Sequence, residues 1–149
     1  MYERSFAESQ EEFFGKQAKY LSSVREELLM KGYDKPMMEH PLVLQSVKNM
    51  ISEGKVKISA IFPENATTCL DEAAGSGSVK ILRTPKELTK GYILFDEWCL
   101  TEWDSKRPSA YGPEVMTSCF RKFQLFPYLE NLEKIKNDFL REQELLGVN

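Results

Sequence analysis

Apolar residues recur at three- and four-residue steps through Phe6, Phe13, Phe14, Tyr20, Leu21, Val24 and Leu28, behind a capping box formed by Ser5 and Glu8. The spacing predicts a first helix from about Phe6 to Met30, with Gly32 as its stop and "GYDKP" as the turn that follows. A second helix is written into "HPLVLQSVKNMISEG". Pro41 stands in its first turn, Leu42, Val43, Val47, Met50 and Ile51 form its stripe, and Gly54 ends it.

The period then changes from helical to alternating. In "KVKISAIF", Val56, Ile58, Ala60 and Phe62 fall on one face, which predicts a half-buried strand. "PENATTCLDEAAGSGS" reads as a turn holding one short helix around Cys69 to Ala74, and "SVKILR" as a second strand. "TPKELTKG" predicts a helix of one or two turns, capped by Thr84 and Glu87 and ended by Gly91. A third strand is expected from about Tyr92 to Trp103, with Asp96-Glu97 as a candidate bulge. Pro113 opens a helix over "PEVMTSCFRKFQLF", and Pro127 opens a last helix that runs to about Leu146 before Gly147. The sum is an α+β fold with a small, antiparallel three-stranded sheet covered by N-terminal and C-terminal helix pairs, residues 1–149 forming one globular domain.

Composition narrows the function classes. With 42% hydrophobic and 29% charged residues the chain reads as an ordinary soluble protein, and a formal charge of −3 supplies no basic footprint for nucleic acid. No apolar run approaches the roughly 18 residues of a membrane span, and the acidic N-terminus has no apolar signal core, so the expected location is the cytoplasm. Three separated cysteines, Cys69, Cys99 and Cys119, do not make a disulfide framework.

Each chemical signature fails on spacing. The glycines of "AAGSGSVK" lead into a strand rather than from a strand into a helix, so they do not cradle a phosphate. The three cysteines and His40 are 20 or more residues apart, without the close pair that zinc knuckles use, so neither a metal nor a cofactor is expected. On a regular strand Asp96 and Glu97 point to opposite faces and do not form an acid dyad. The tryptophans stand out: Trp98 and Trp103 would lie on opposite faces, the first in the core and the second at the surface.

An exposed aromatic among acids and arginine suits a protein-binding patch made of Glu102, Trp103, Asp104, Arg107 and Tyr111. The sequence therefore favours a small protein-binding protein, an inhibitor of immunity type, an adaptor or an accessory subunit, whose partner has a basic surface and is neither nucleic acid nor membrane. Two alternatives stand beside it. One is a small enzyme with a pocket between sheet and helices, using Asp96, Glu97, His40 and Cys69. The other is a homodimer that buries Phe120, Phe123, Phe126, Tyr128 and Phe139.

Overall fold

The computed structural model describes residues 3–6, 10–74, 77–86, 88, 90–96, 99–109, 112–119 and 126–147. In chain order these form β1 (Glu3–Phe6), α1 (Gln10–Ser23), β2 (Glu27–Lys31), α2 (Lys35–Met38), α3 (Pro41–Glu53) and β3 (Lys57–Pro63). A 3₁₀ turn (Asp71–Ala73) follows, then β4 (Val79–Thr84), β5 (Lys90–Phe95), β6 (Cys99–Ser109), β7 (Gly112–Cys119) and α4 (Phe126–Gly147). The strands make one seven-stranded sheet in the order β1-β7-β6-β5-β2-β3-β4. β2, β3 and β4 are parallel neighbours, whereas β5, β6, β7 and β1 each join antiparallel.

The parallel trio explains the layers. Parallel strands need a crossover, and the crossover elements cover the sheet faces. α3 is the crossover from β2 to β3, and it packs beside α1. Phe13, Leu21, Val43 and Val47 from these helices form one core with Ile58, Phe62, Ile93 and Phe95 from the sheet. Gln17 of α1 is wholly buried there, its amide satisfied by the Thr101 hydroxyl of β6 at 2.8 and 3.1 Å. The other face is covered by α4, whose Phe139 is sealed against Leu29, Ile61, Leu94 and Leu100. Two ion pairs align this helix along β2, Lys136 with Glu27 at 3.4 Å and Lys31 with Glu142 at 2.5 Å.

Several sequence expectations hold. α3 carries Pro41 in its first turn, and His40 as its N-cap accepts the Leu42 N–H through Nδ1. Gly54 ends it in the left-handed region at φ +64°. The strands at β3 and β4, the short turn after Cys69 and the last helix also lie where the pattern puts them.

The three-stranded antiparallel sheet is corrected to a seven-stranded mixed one, and the reasons are local. "ELLMK", read as the end of the first helix, is β2, with Leu28, Leu29 and Met30 buried. Leucine, methionine and glutamate favour helices, but a central strand covered on both faces needs a continuous apolar run, and that demand prevails here. The run from Tyr92 to Trp103 is not one strand but the hairpin of β5 and β6. "PEVMTSC", read as helix, lies within β7, where alternation over Val115, Thr117 and Cys119 outweighs the helical spacing. The capping serine Ser5 lies in β1. "TPKELT" forms no helix among the described residues: Thr84 closes β4 and its hydroxyl accepts the Lys86 N–H. Pairing also places Cys99 directly opposite Cys119, residues that the sequence separates widely.

Candidate functional site

Because β2, β3 and β4 run the same way, their carboxyl ends share one edge of the molecule, which also receives the start of β5 and the end of β6. In open α/β sheets this edge is where loops diverge and ligands settle. A cavity of about 580 Å³ opens here, between the ends of β3 and β4, lined by Pro63, Glu64, Asn65, Thr84, Pro85, Lys86 and Leu88. Glu64, Asn65 and Lys86 are exposed, while Thr84 beneath them is buried.

The wall of the cavity is held rigidly. The Arg83 guanidinium donates to the carbonyls of Pro63 and Ala66 at 3.3 and 2.6 Å and pairs with the Asp71 carboxylate, tying three points of the loop after β3 to β4. The Glu64 N–H donates to the Thr84 carbonyl at 3.0 Å, fastening the start of the same loop to the end of β4. Asp71 also accepts the Thr68 N–H at 2.7 Å, and that bond, together with Arg83, holds its carboxyl below the usual range. The guanidinium lies 5.8 Å from the Phe62 ring centre, and Tyr33 packs edge-on to the same ring. Burial pushes the Tyr33 phenol up to about 12, so it stays neutral.

The residues proposed for an enzyme are not brought together. Asp96 follows β5 at the opposite end of the sheet from the cavity, and it is a backbone anchor. Its carboxylate accepts the N–H groups of Arg25, Glu26 and Glu27 at 3.0, 2.9 and 2.9 Å, and its own N–H donates to the Glu27 carbonyl at 2.8 Å. It sits at φ +52°, the one described non-glycine residue in the left-handed region. Aspartate tolerates that conformation better than most residues, and its carboxylate gathers three successive backbone donors.

His40 is oriented by Nδ1 on the Leu42 N–H and by Nε2 at 3.1 Å from Glu11, with its ring 5.4 Å from that of Phe14. Both nitrogens are thus engaged by the chain itself. Burial raises the Cys69 thiol above its ordinary value, which disfavours a thiolate nucleophile. Glu97 lies outside the described residues, as does Trp98. Among the described residues no group of three or more His, Cys, Asp or Glu could hold a metal ion.

The proposed patch is likewise rearranged. Trp103, expected at the surface, is buried at 5% exposure and pairs across the hairpin with Gly91. A Cβ on Gly91 would stand 2.3 Å from Trp103 Cζ2, so the glycine read as a helix stop is instead the floor on which the indole rests. Glu102 is half-buried opposite Tyr92, Asp104 pairs in register with Lys90, and Arg107 lies in β6 where the pairing with β7 shifts. Tyr111 lies outside the described residues. Sequence reasoning missed the cavity residues Glu64, Asn65 and Lys86. The available signal was their place just after two strands that share a parallel partner, which becomes readable only once β2 is recognised as a strand.

No protein-family profile matches the chain, and no curated protein matches it. Its fold, however, is similar to those of several solved structures. It is similar to NucT from Helicobacter pylori over 97% of each chain, at 15% identity with a TM-score of 0.71. It is similar to TrmBL2, an archaeal chromatin protein with its own mode of DNA binding, over 95% of this chain and 52% of that one, at 12% identity and 0.65. It is similar to Nuc from Salmonella typhimurium, a phospholipase D family member, over 92% of this chain and 94% of that one, at 12% identity and 0.56. These likenesses correct two expectations. Solved structures on this fold include a phospholipase D family member and a DNA-binding protein, which stands against the reading as an inhibitor, adaptor or accessory subunit and against the exclusion of nucleic acid. At such identities the property shared with all three is the fold.

Proposed function

We propose that this chain engages the phosphodiester backbone of a nucleic acid strand at the edge of the sheet where the parallel strands end. The observation that carries the reading is the similarity of architecture along almost the whole chain to NucT and to the DNA-binding TrmBL2. Phosphodiester chemistry is common to DNA and to the substrates for which phospholipase D is named. The edge itself supports the reading: Lys86 and Lys90 are exposed there. A local group of cations can serve phosphates although the whole chain is acidic, because electrostatic attraction is screened within about 8 Å at physiological salt.

The test is fluorescence anisotropy with labelled single- and double-stranded DNA at about 50 and 200 mM salt. Binding that weakens as salt rises is the expected result. No binding at the lower salt, by protein shown to be folded, would remove the reading.

A second reading, hydrolysis of the phosphodiester, is favoured by the likeness to a phospholipase D family member. Its requirement is a nucleophile or base, whereas both nitrogens of His40 are engaged by the chain itself and burial raises the Cys69 thiol. Turnover of bis-p-nitrophenyl phosphate that disappears in His40→Ala, with the fold intact, would make hydrolysis the better account.

A further inference from the structure

We infer that the cavity between the ends of β3 and β4 is a base-reading subsite that prefers nucleobases carrying an exocyclic amine, such as cytosine, over thymine and uracil; this rests on the nucleic-acid reading above. Its volume of about 580 Å³ suits a nucleotide-sized guest, since small-ligand sites run from roughly 300 to 1,000 Å³. Its lining divides by chemistry. Pro63, Pro85 and Leu88 offer apolar surface to the face of a base, while Glu64, Asn65 and Lys86 offer polar groups to its edges.

The carboxylate decides what can enter. Glu64 and Lys86 both line the cavity, so the anionic part of a ligand belongs beside Lys86 and a neutral part beside Glu64. Ionised glutamate only accepts hydrogen bonds, and therefore needs a donor from its guest. Cytosine presents an amine at the position where thymine and uracil present a carbonyl, and a carbonyl against a carboxylate leaves both acceptors without a proton. Asn65 accepts and donates, so it accommodates either edge and does not discriminate.

The cavity is also prepared before any ligand arrives. The guanidinium of Arg83 fixes the carbonyls of Pro63 and Ala66, the Glu64 N–H is bonded to the Thr84 carbonyl, and the Thr84 hydroxyl accepts the Lys86 N–H. Both walls are thus held by hydrogen bonds that do not involve the Glu64 carboxylate, the Asn65 amide or the Lys86 ammonium. Pre-organisation of this kind lowers the entropy lost on binding.

The experiment compares labelled oligo-dC and oligo-dT of equal length, two pyrimidines that differ where the amine replaces the carbonyl, against the full chain and its Glu64→Gln and Lys86→Ala variants. Glu64 and Lys86 are exposed, so both variants should fold, which a urea melt checks. Oligo-dC is expected to bind about five-fold or more tightly than oligo-dT. Glu64→Gln should shrink that gap below about two-fold, because a carboxamide can donate as well as accept. Lys86→Ala should weaken both strands alike and preserve the gap. Equal binding of the two strands by the unaltered chain, or a gap that survives Glu64→Gln, would overturn the inference and leave the nucleic-acid reading standing. Failure of both strands to bind would remove that reading and the inference together.

Discussion

At one end of the sheet Asp96 gives its carboxylate to the backbone N–H groups of Arg25, Glu26 and Glu27, whereas at the other end Glu64, Asn65 and Lys86 stand exposed around a cavity. Both ends contain charged residues next to strand termini. The difference is what the charge faces. Asp96 meets fixed donors of the chain itself and so closes a corner, while the cavity side chains leave the holding of their loops to Arg83 and the backbone. An acid beside an apolar strand is therefore not a functional signal until its partners are known, and the two ends should respond to substitution in opposite ways.

The largest effect is expected at neither charge but at the indole that seals the core near the cavity end. Trp103→Ala should cost about 3 to 5 kcal/mol of stability, read from urea denaturation, as for other buried large aromatics. A loss below about 1 kcal/mol would mean that the indole does not pack on Gly91 as described. At the anchored end, Asp96→Ala should cost about 2 to 4 kcal/mol, since it removes charge-assisted hydrogen bonds and leaves alanine in the left-handed region. Asp96→Gly separates the two causes, because glycine accepts the conformation but not the donors. If Asp96→Gly were as stable as the parent chain, the carboxylate would not be the anchor. Neither substitution should alter the preference for oligo-dC over oligo-dT in protein that remains folded.

The reverse pattern is expected at the cavity. Lys86→Ala should leave stability within about 0.5 kcal/mol while weakening DNA binding.

The smallest effect concerns pH. The Asp71 carboxyl lies below its ordinary value in the folded chain, so its contribution is fully present above the unfolded value of about 4 and is lost as pH falls through the lowered folded value. The stability of the parent chain should fall more steeply below about pH 4 than that of Asp71→Asn. Parallel pH profiles would show that the Thr68 N–H and Arg83 do not stabilise the Asp71 carboxylate in the folded chain.

How much of this was legible in the sequence depended on whether local and tertiary demands agreed. α3 was readable because its proline, its stripe and its terminal glycine are all local signals that the tertiary fold leaves in place. β2 was not, because Leu28, Leu29 and Met30 suit a helix by propensity and are made a strand by neighbours on both sides, β3 and β5. With β2 hidden, the parallel trio was hidden as well, and with it the edge where the cavity forms. Asp96 was legible as an anomaly and no further. Its oddness in an apolar run comes from the turn between β5 and β6, but its partners lie about 70 positions away in sequence. Gly91 and Trp103 were each noticed separately, and their contact depends on a hairpin register that neither residue specifies alone.

The pairing of β1 with β7 has a consequence for how the chain comes off the ribosome. Glu3 pairs in the ladder with Cys119, which is made 116 residues later. At about 5 to 20 residues per second, β1 waits roughly 6 to 23 seconds for its partner to be synthesised. Throughout that interval β1 has no ladder to join, and when β7 emerges it presents an open edge until β1 returns to it. A nascent-chain chaperone would find its work concentrated in this interval.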